Sequence, residues 1–421
     1  MHLFLLLFSS LLLGFVCWYS VTRISADLRK SYVLLMTVRF GFFTIQSVLF
    51  YAIYSNQLDP FFYHQTLIDL FADFKRYPED IVLFLKGDYH AMHLTPWLKN
   101  YLSLETRVAF FLKVLTPFFM LSANNYYILG AWLTLFGTFC FMPFLSLFKN
   151  KQSFSIWVLV LLMPSFTIWT VGILKEAFVI PILFLMFSLL KNIVDKKYAN
   201  VWSVLIFISM LVLAWNVKYY LVALFLLLSI VYFIFEYVSI SKRTIILSVF
   251  AFAAMLITLG FLHPALQWSV LPEVIYISNH ITCVAYVDAY PCIPFELDKT
   301  WHSIVVNFPK AILYAFFSPA PWHIHNATSL LAALENYVFI GLLGLTIYGW
   351  YAKKISITAM EWIALASILV LGGLLIMASP NIGSFSRYRI FYLPVYGFVL
   401  LKNVSLIYAT VFLRFKNWLE K

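Results

Sequence analysis

Charge is what this chain has least of. Only 11% of its 421 residues are Asp, Glu, Lys or Arg, against 63% hydrophobic. A soluble domain carries about 25% charged residues. A core cannot hide this much apolar surface, so the excess has to face lipid. Familiar phosphate, metal and nucleophile signatures are also missing. There is no Walker loop, no GxGxxG opening a helix after a strand, no HExxH and no GxSxG, which removes any reason to expect nucleotide hydrolysis or a soluble cofactor. No internal repeat, low-complexity run or long linker interrupts the sequence, and it reads as a single domain over 1–421. The apolar first 22 residues have only Met1 and His2 ahead of them and no small-residue cleavage site behind, so they are expected to be a retained helix.

What is present in quantity is apolar length. The expected fold is all-α, a polytopic membrane bundle of about eleven transmembrane helices, since 18 or more apolar residues span roughly 30 Å of hydrocarbon. The expected spans are 3–22, 31–54, 125–148, 153–166, 172–191, 199–215, 217–238, 243–262, 328–350, 356–378 and 389–412. The fourth is short and ends at Pro164. The stretch 107–123, with Arg107, Lys113 and Pro117, is expected to be an interfacial or re-entrant hairpin. Two long loops, 55–107 and 263–310, are expected to carry interfacial helices on the outer side; Pro96 and Trp97 sit in one such amphipathic stretch. Aromatic residues, 19% of the chain, suit interfacial belts and sugar-lined clefts.

The formal charge of +11 would suggest nucleic acid in a soluble protein, but no basic stripe lies among aromatics in a polar context, and nucleic-acid binding is excluded. The basic residues instead sort by side. Segments 23–30, 149–152, 191–198, 239–243, 351–355 and 413–421 hold fifteen Lys and Arg, whereas the short loops between them hold four: Lys175, Lys218, Arg387 and Arg389. Positive residues mark the cytoplasmic side, giving an outside N-terminus and an inside C-terminus. Thirteen of the 18 acids then fall outside, and acid–base chemistry has most of its candidates there. Of four cysteines, Cys17 and Cys140 lie in apolar spans. Cys283 and Cys292 share an outer loop, where an oxidising compartment favours a disulfide; His280 and His302 nearby do not form a compact metal pattern.

Four constellations carry chemistry. Asp59-Pro60-Phe61-Phe62-Tyr63-His64 follows the second span. Asp59 could activate a sugar hydroxyl or hold a metal-bridged phosphate; it could equally cap a helix starting at Pro60. Further along this loop, His90 and His93 could share a helix face as a weak two-ligand metal pattern. Lys175 and Glu176 begin a long span after the Pro164–Gly172 break; charges at membrane depth usually face a cavity or each other, and Lys175 could hold a lipid phosphate with Glu176 orienting it. Arg387 and Arg389 in SRYR are an outer pair suited to forked phosphate binding. Trp322, in the Pro-rich turn SPAPW, could stack on a sugar face, and Glu335 lies below it in the next span. Trp215, Lys218, Tyr219 and Tyr220 form a further polar-aromatic cluster. Arg39, inside the second span, is expected to pair with another buried group.

With Asp59 in DPFFYH, GILKE at 172–176, SPAPW at 318–322 and SRYR at 386–389, the arrangement resembles the GT-C superfamily of integral-membrane glycosyltransferases, and is similar to bacterial polysaccharide-assembly membrane proteins. That resemblance implies a polyprenyl-phosphate-linked sugar as donor, a glycan or lipid as acceptor, and an active site on the outer face of a bacterial plasma membrane. It implies a catalytic-base role for Asp59, with Tyr63, His64, Lys175, Glu176, Trp322, Glu335, Arg387 and Arg389 as substrate contacts. No cofactor is required by it, and a divalent metal ion stays open. The sequence departs from the pattern in having one acid in DPFFYH where many members show a pair, and one additional helix before the acidic loop. A polysaccharide polymerase or ligase using undecaprenyl-linked units would share these features. A lipid-linked sugar transporter or flippase would favour inverted repeats and helices broken at mid-bilayer.

Overall fold

A computed structural model describes residues 2–54, 59–148, 150–195, 200–237, 258, 260–285, 292–324, 327–352 and 355–419. Helices account for the regular structure, and no strand occurs among the described residues; one isolated bridge joins Cys292 and Asn381. The chain divides into two compact units, Met1–Lys149 with Thr167–Val222, and Asn150–Phe166 with Ala223–Lys421.

The first unit begins with α1 (His2–Arg23) and α2 (Ala26–Tyr54). Tyr32 of α2 donates to Ser20 Oγ of α1 at 3.1 Å. The first long loop is helical: α3 (Asp59–Arg76), α4 (Asp80–Lys86) and α5 (Pro96–Leu104). Asp59 in the first turn of α3 and Lys75 and Arg76 in its last turn match the helix dipole. Its buried residues Pro60, Tyr63, Leu67, Leu70 and Phe74 recur every three or four positions, the signature of an amphipathic helix lying on a neighbour. That neighbour is α6 (Thr106–Leu121), through Tyr63 on Phe111 at 5.4 Å and Phe71 on Phe119 at 4.9 Å. The expected hairpin at 107–123 is therefore one helix; Pro117 sits inside it without reversing the chain.

Then come α7 (Tyr126–Leu145), α8 (Lys151–Leu161), α9 (Pro164–Trp169), α10 (Lys175–Val194) and α11 (Val201–Tyr237). Within the first unit α7 and α10 run side by side. Phe136 stacks on Phe178 at 5.4 Å, and Phe144 meets Phe184 at 4.7 Å and Phe187 at 6.0 Å. Gly137 makes the approach close enough: a Cβ there would sit 3.1 Å from Pro181 Cγ and 3.4 Å from the Ala177 carbonyl. In α11, Lys218 has non-helical angles, φ −149° and ψ 74°, so two helical stretches meet there.

The second unit contains α8 and, after α11, α12 (Leu271–Ala285), α13 (Trp301–Phe317), α14 (Ala327–Tyr351), α15 (Ala359–Ala378), α16 (Ile382–Tyr388) and α17 (Leu393–Leu419). Trp157 of α8 stacks on Phe398 of α17 at 4.5 Å, and Phe339 of α14 stacks on Tyr396 at 5.3 Å. Asn279 of α12 donates to the Met377 carbonyl at the end of α15 at 2.8 Å.

Among the described residues six helices are long and apolar enough to cross a membrane, or seven if the bent pair Gly383–Phe391 and Leu393–Tyr408 counts as one span. The expected eleven are not reached among the described residues, and several expected spans take a different form. Pro164 splits 153–166 into α8, of 11 residues, and α9, of 6. The spans 199–215 and 217–238 follow one another as two helical stretches that meet at the non-helical Lys218. The span 356–378 forms α15 over Ala359–Ala378, and 389–412 opens on a bend. The expected span 243–262 lies outside the described residues except for 258 and 260–262, as do the basic segment 239–243 and Asp288.

Candidate functional site

The first unit builds its polar site on a broken helix. After α9 the chain leaves helical geometry; Gly172 takes a left-handed φ of +71°. A break inside an apolar bundle strands carbonyls that water cannot reach. Helix α2 supplies their partners. Arg39 Nη2 donates to the Thr170 carbonyl at 2.6 Å, Nη1 to Thr170 Oγ1 at 3.0 Å and Nε to Thr138 Oγ1 at 3.1 Å. Gln46 Nε2 donates to the Ile168 carbonyl and, at 3.3 Å, to that of Val171. Thr134 Oγ1 accepts from Gly172 N at 3.0 Å. Arg39 and Gln46 are fully buried. Arg39 thus finds its buried partners in hydroxyls, a carbonyl and the Phe141 ring, 4.9 Å away, rather than in a carboxylate.

The break delivers Lys175 and Glu176 as the first residues of α10. The ring pairs align each α10 residue with the α7 residue about 42 positions earlier. Lys175 is thus level with Leu133, roughly 10 Å along the axis from Tyr126, where α7 starts. Glu176 is fully buried and forms an ion pair with Lys218, at the break in α11. A buried carboxylate needs such a partner. Lys218 Nζ also lies 5.7 Å from the Tyr220 ring centre. Lys175 is half-buried, holds its ammonium 5.6 Å from the Tyr63 ring centre, and makes no hydrogen bond or ion pair among the described residues.

Asp59, Lys218, Glu176 and Arg107 all lie within electrostatic reach of Lys175. Arg107 sits over Tyr219 at 5.8 Å. Tyr101 of α5 closes the group, its hydroxyl pushed up to about 12 by burial and then by the negative charges of Glu105 and Asp59. With Glu176 and Lys218 neutralising each other, the site presents Lys175 and Arg107 against Asp59 and, beside Tyr101, Glu105, a charged group bordered by tyrosines. Asp59, Tyr63, Lys175 and Glu176, all read from the sequence, come together here. Tyr101 and Arg107 were not foreseen in this site; Arg107 stood out only as a charge in the stretch 107–123. His64 is used elsewhere. Its Nε2 donates to the Asn124 carbonyl at 3.1 Å, holding a turn in which Ala123 and Asn124 have positive φ. Burial pushes its proton affinity below the ordinary histidine value.

His90 and His93 do not share a site. His93 gives its backbone N–H and Nδ1 to the fully buried Asp80, at 2.7 and 3.1 Å, and stacks on Tyr77 at 4.0 Å. His90 Nε2 meets Ser103 Oγ at 3.3 Å. Among the described residues no three His, Cys, Asp or Glu are grouped as metal ligands.

The remaining candidates belong to the second unit. Glu335 is buried on α14, and its Oε2 accepts from Ser165 N at 2.8 Å and from Ser165 Oγ. Arg389 is also buried, with Nη1 donating to the Ser318 carbonyl at 3.2 Å, so SRYR and SPAPW are tied together at a backbone oxygen. Arg387 is half-buried on α16. Trp322 is 75% exposed and edge-on to His323 at 5.8 Å. Cys283 and Cys292 are joined by a disulfide, Cα to Cα 5.7 Å, and Ile293 N donates to the Pro380 carbonyl at 3.1 Å, which sets Cys292 beside Asn381. Comparison of the chain with protein-family models, with curated proteins and with solved structures finds no match, and the functional reading rests on these residues.

Proposed function

We propose that this chain is an integral-membrane glycosyltransferase that takes a sugar from a polyprenyl-phosphate-type carrier and passes it to a hydroxyl of a glycan or lipid at the outer face of a bacterial plasma membrane. One observation carries the reading: Lys175, recessed along α7, keeps its ammonium off every protein acceptor among the described residues, on the Tyr63 ring and beside Asp59 and Arg107. A cation held this way suits an anionic head group. In the proposed step, Asp59 takes the proton of the acceptor hydroxyl, whose oxygen bonds to the anomeric carbon. The bond from that carbon to the phosphate oxygen breaks, and its electron pair leaves with the phosphate. Lys175 and Arg107 stabilise the charge that develops there.

The test is a deletion strain carrying Asp59→Asn. Membrane insertion should be intact and the transferred sugar missing from the envelope glycan, a loss of about 100-fold or more. An unchanged glycan removes Asp59 from the chemistry. Accumulation of single repeat units would reassign the acceptor to a growing polymer. The helix break before α10 favours a second reading, a lipid-linked sugar flippase. Transfer by the detergent-solubilised protein, where no second compartment exists, separates bond formation from transport.

A further inference from the structure

We infer that Arg39 and Gln46 are positioning residues for the Lys175 site: they set where α10 begins and so where its lysine stands. The functional half of this inference rests on the reading of Lys175 as the phosphate contact. The two side chains are seven residues apart on α2, two helical turns, and so project from one face. That face meets the break. Arg39 makes three hydrogen bonds, two to Thr170 and one to Thr138, and Gln46 two more, to Ile168 and Val171. Together they engage three carbonyls between residues 168 and 171, immediately before the lysine.

Stability alone does not call for this arrangement. A guanidinium buried in an apolar span is costly, and no carboxylate offsets it among the described residues. An unbroken apolar helix packed on α2 would need neither side chain. The fit is also specific. A Cβ on Gly172 would lie 2.6 Å from Gln46 Oε1 and 2.9 Å from Phe43 Cδ2, so the amide is pressed against a left-handed glycine. Gln46 Oε1 is itself buried without a hydrogen-bond partner among the described residues, a penalty accepted so that Nε2 can reach two carbonyls. Thr134, which accepts from Gly172 N, and Thr138, which accepts from Arg39, carry the same tie to α7. The lysine is thereby referenced to two helices at once.

The experiment uses the full chain in lipid nanodiscs. Acetylation of Lys175 by acetic anhydride is followed by mass spectrometry against pH, with exposed Lys299 as internal reference, and farnesyl phosphate is the protecting probe. Arg39→Lys keeps the charge but loses the fork; Gln46→Leu keeps the bulk, and Thr138→Val removes one bond should the arginine variant fail to fold. The expected result is a displaced pH profile at Lys175 in each variant, with Lys299 unchanged, and protection by farnesyl phosphate weakened by about tenfold or more, within the ~100-fold that a 1 Å misplacement can cost. A lower melting temperature with an unchanged Lys175 profile and unchanged protection would overturn the inference and leave only a stabilising role. If farnesyl phosphate fails to protect the wild type while the variants still displace the profile, positioning stands and the lipid-phosphate reading falls.

Discussion

At the residue scale, the informative side chains are those whose partners are not the obvious ones. His64 follows a tyrosine of the site, yet its ring is committed to the Asn124 carbonyl. Burial lowers its folded proton affinity below the ordinary value of 6.5, so the unfolded chain binds the proton more readily. Stability is then fully present above that pH and is lost as pH falls through it. We expect the wild-type melting temperature to drop on going from about pH 7.5 to about pH 5.5, and the drop to be smaller in His64→Gln, measured by thermal unfolding in one detergent. Asp59, Lys175 and Glu176 were legible in the sequence because a charge bordering an apolar run stands out. Arg107 and Tyr101 were not, because only the packing of α3 against α6 and the turn into α5 bring them to Asp59. Arg389 shows the reverse: two arginines in a short loop look like an anion fork, and the structure gives one of them a backbone carbonyl to hold.

At the element scale, capping and breaks decide where helices begin. Helix α15 starts on a reciprocal cap: Thr358 Oγ1 accepts from Glu361 N at 3.3 Å, and Glu361 Oε2 accepts from Thr358 N at 2.8 Å. Glu361 Oε1 also receives Lys402 of α17 at 3.0 Å, so one carboxylate starts one helix and ties it to another. Thr358→Ala is expected to cost about 1 kcal/mol, read as a lower denaturation midpoint; no change would mean that Lys402 alone holds the end of α15. Apolar runs and their approximate limits were legible. Whether a run continues through an interruption was not, since that depends on partners elsewhere. Pro164 ends one helix, whereas Pro117 and Pro181 sit inside others. Lys218 interrupts α11 where Glu176 waits for its ammonium.

At the scale of the whole molecule, the composition already pointed to a lipid-facing protein, and six or seven helices among the described residues are suited to crossing. The described residues do not reach the expected eleven, in part because 153–166 folds as two shorter pieces. In the second unit the disulfide between Cys283 and Cys292 closes a loop with a sequence separation of 9. By loop-closure entropy a link of that span contributes roughly 2–3 kcal/mol. A Cys283→Ser, Cys292→Ser double variant should melt earlier, and the reduced wild type should match it; equal melting of oxidised and reduced protein would show that the bridge and backbone contacts at Asn381 suffice.

The bend of 65° between Gly383–Phe391 and Leu393–Tyr408 has a further effect on the bilayer itself. At 1.5 Å per residue the first arm falls well short of the roughly 30 Å of hydrocarbon, whereas α17, Leu393–Leu419, is long enough alone, so a crossing made by the pair together has a corner in it. That corner carries two guanidinium groups, one half-buried and one packed inside. Guanidinium groups at membrane depth draw in water and thin the bilayer locally, so lipid is expected to be thinnest beside this elbow.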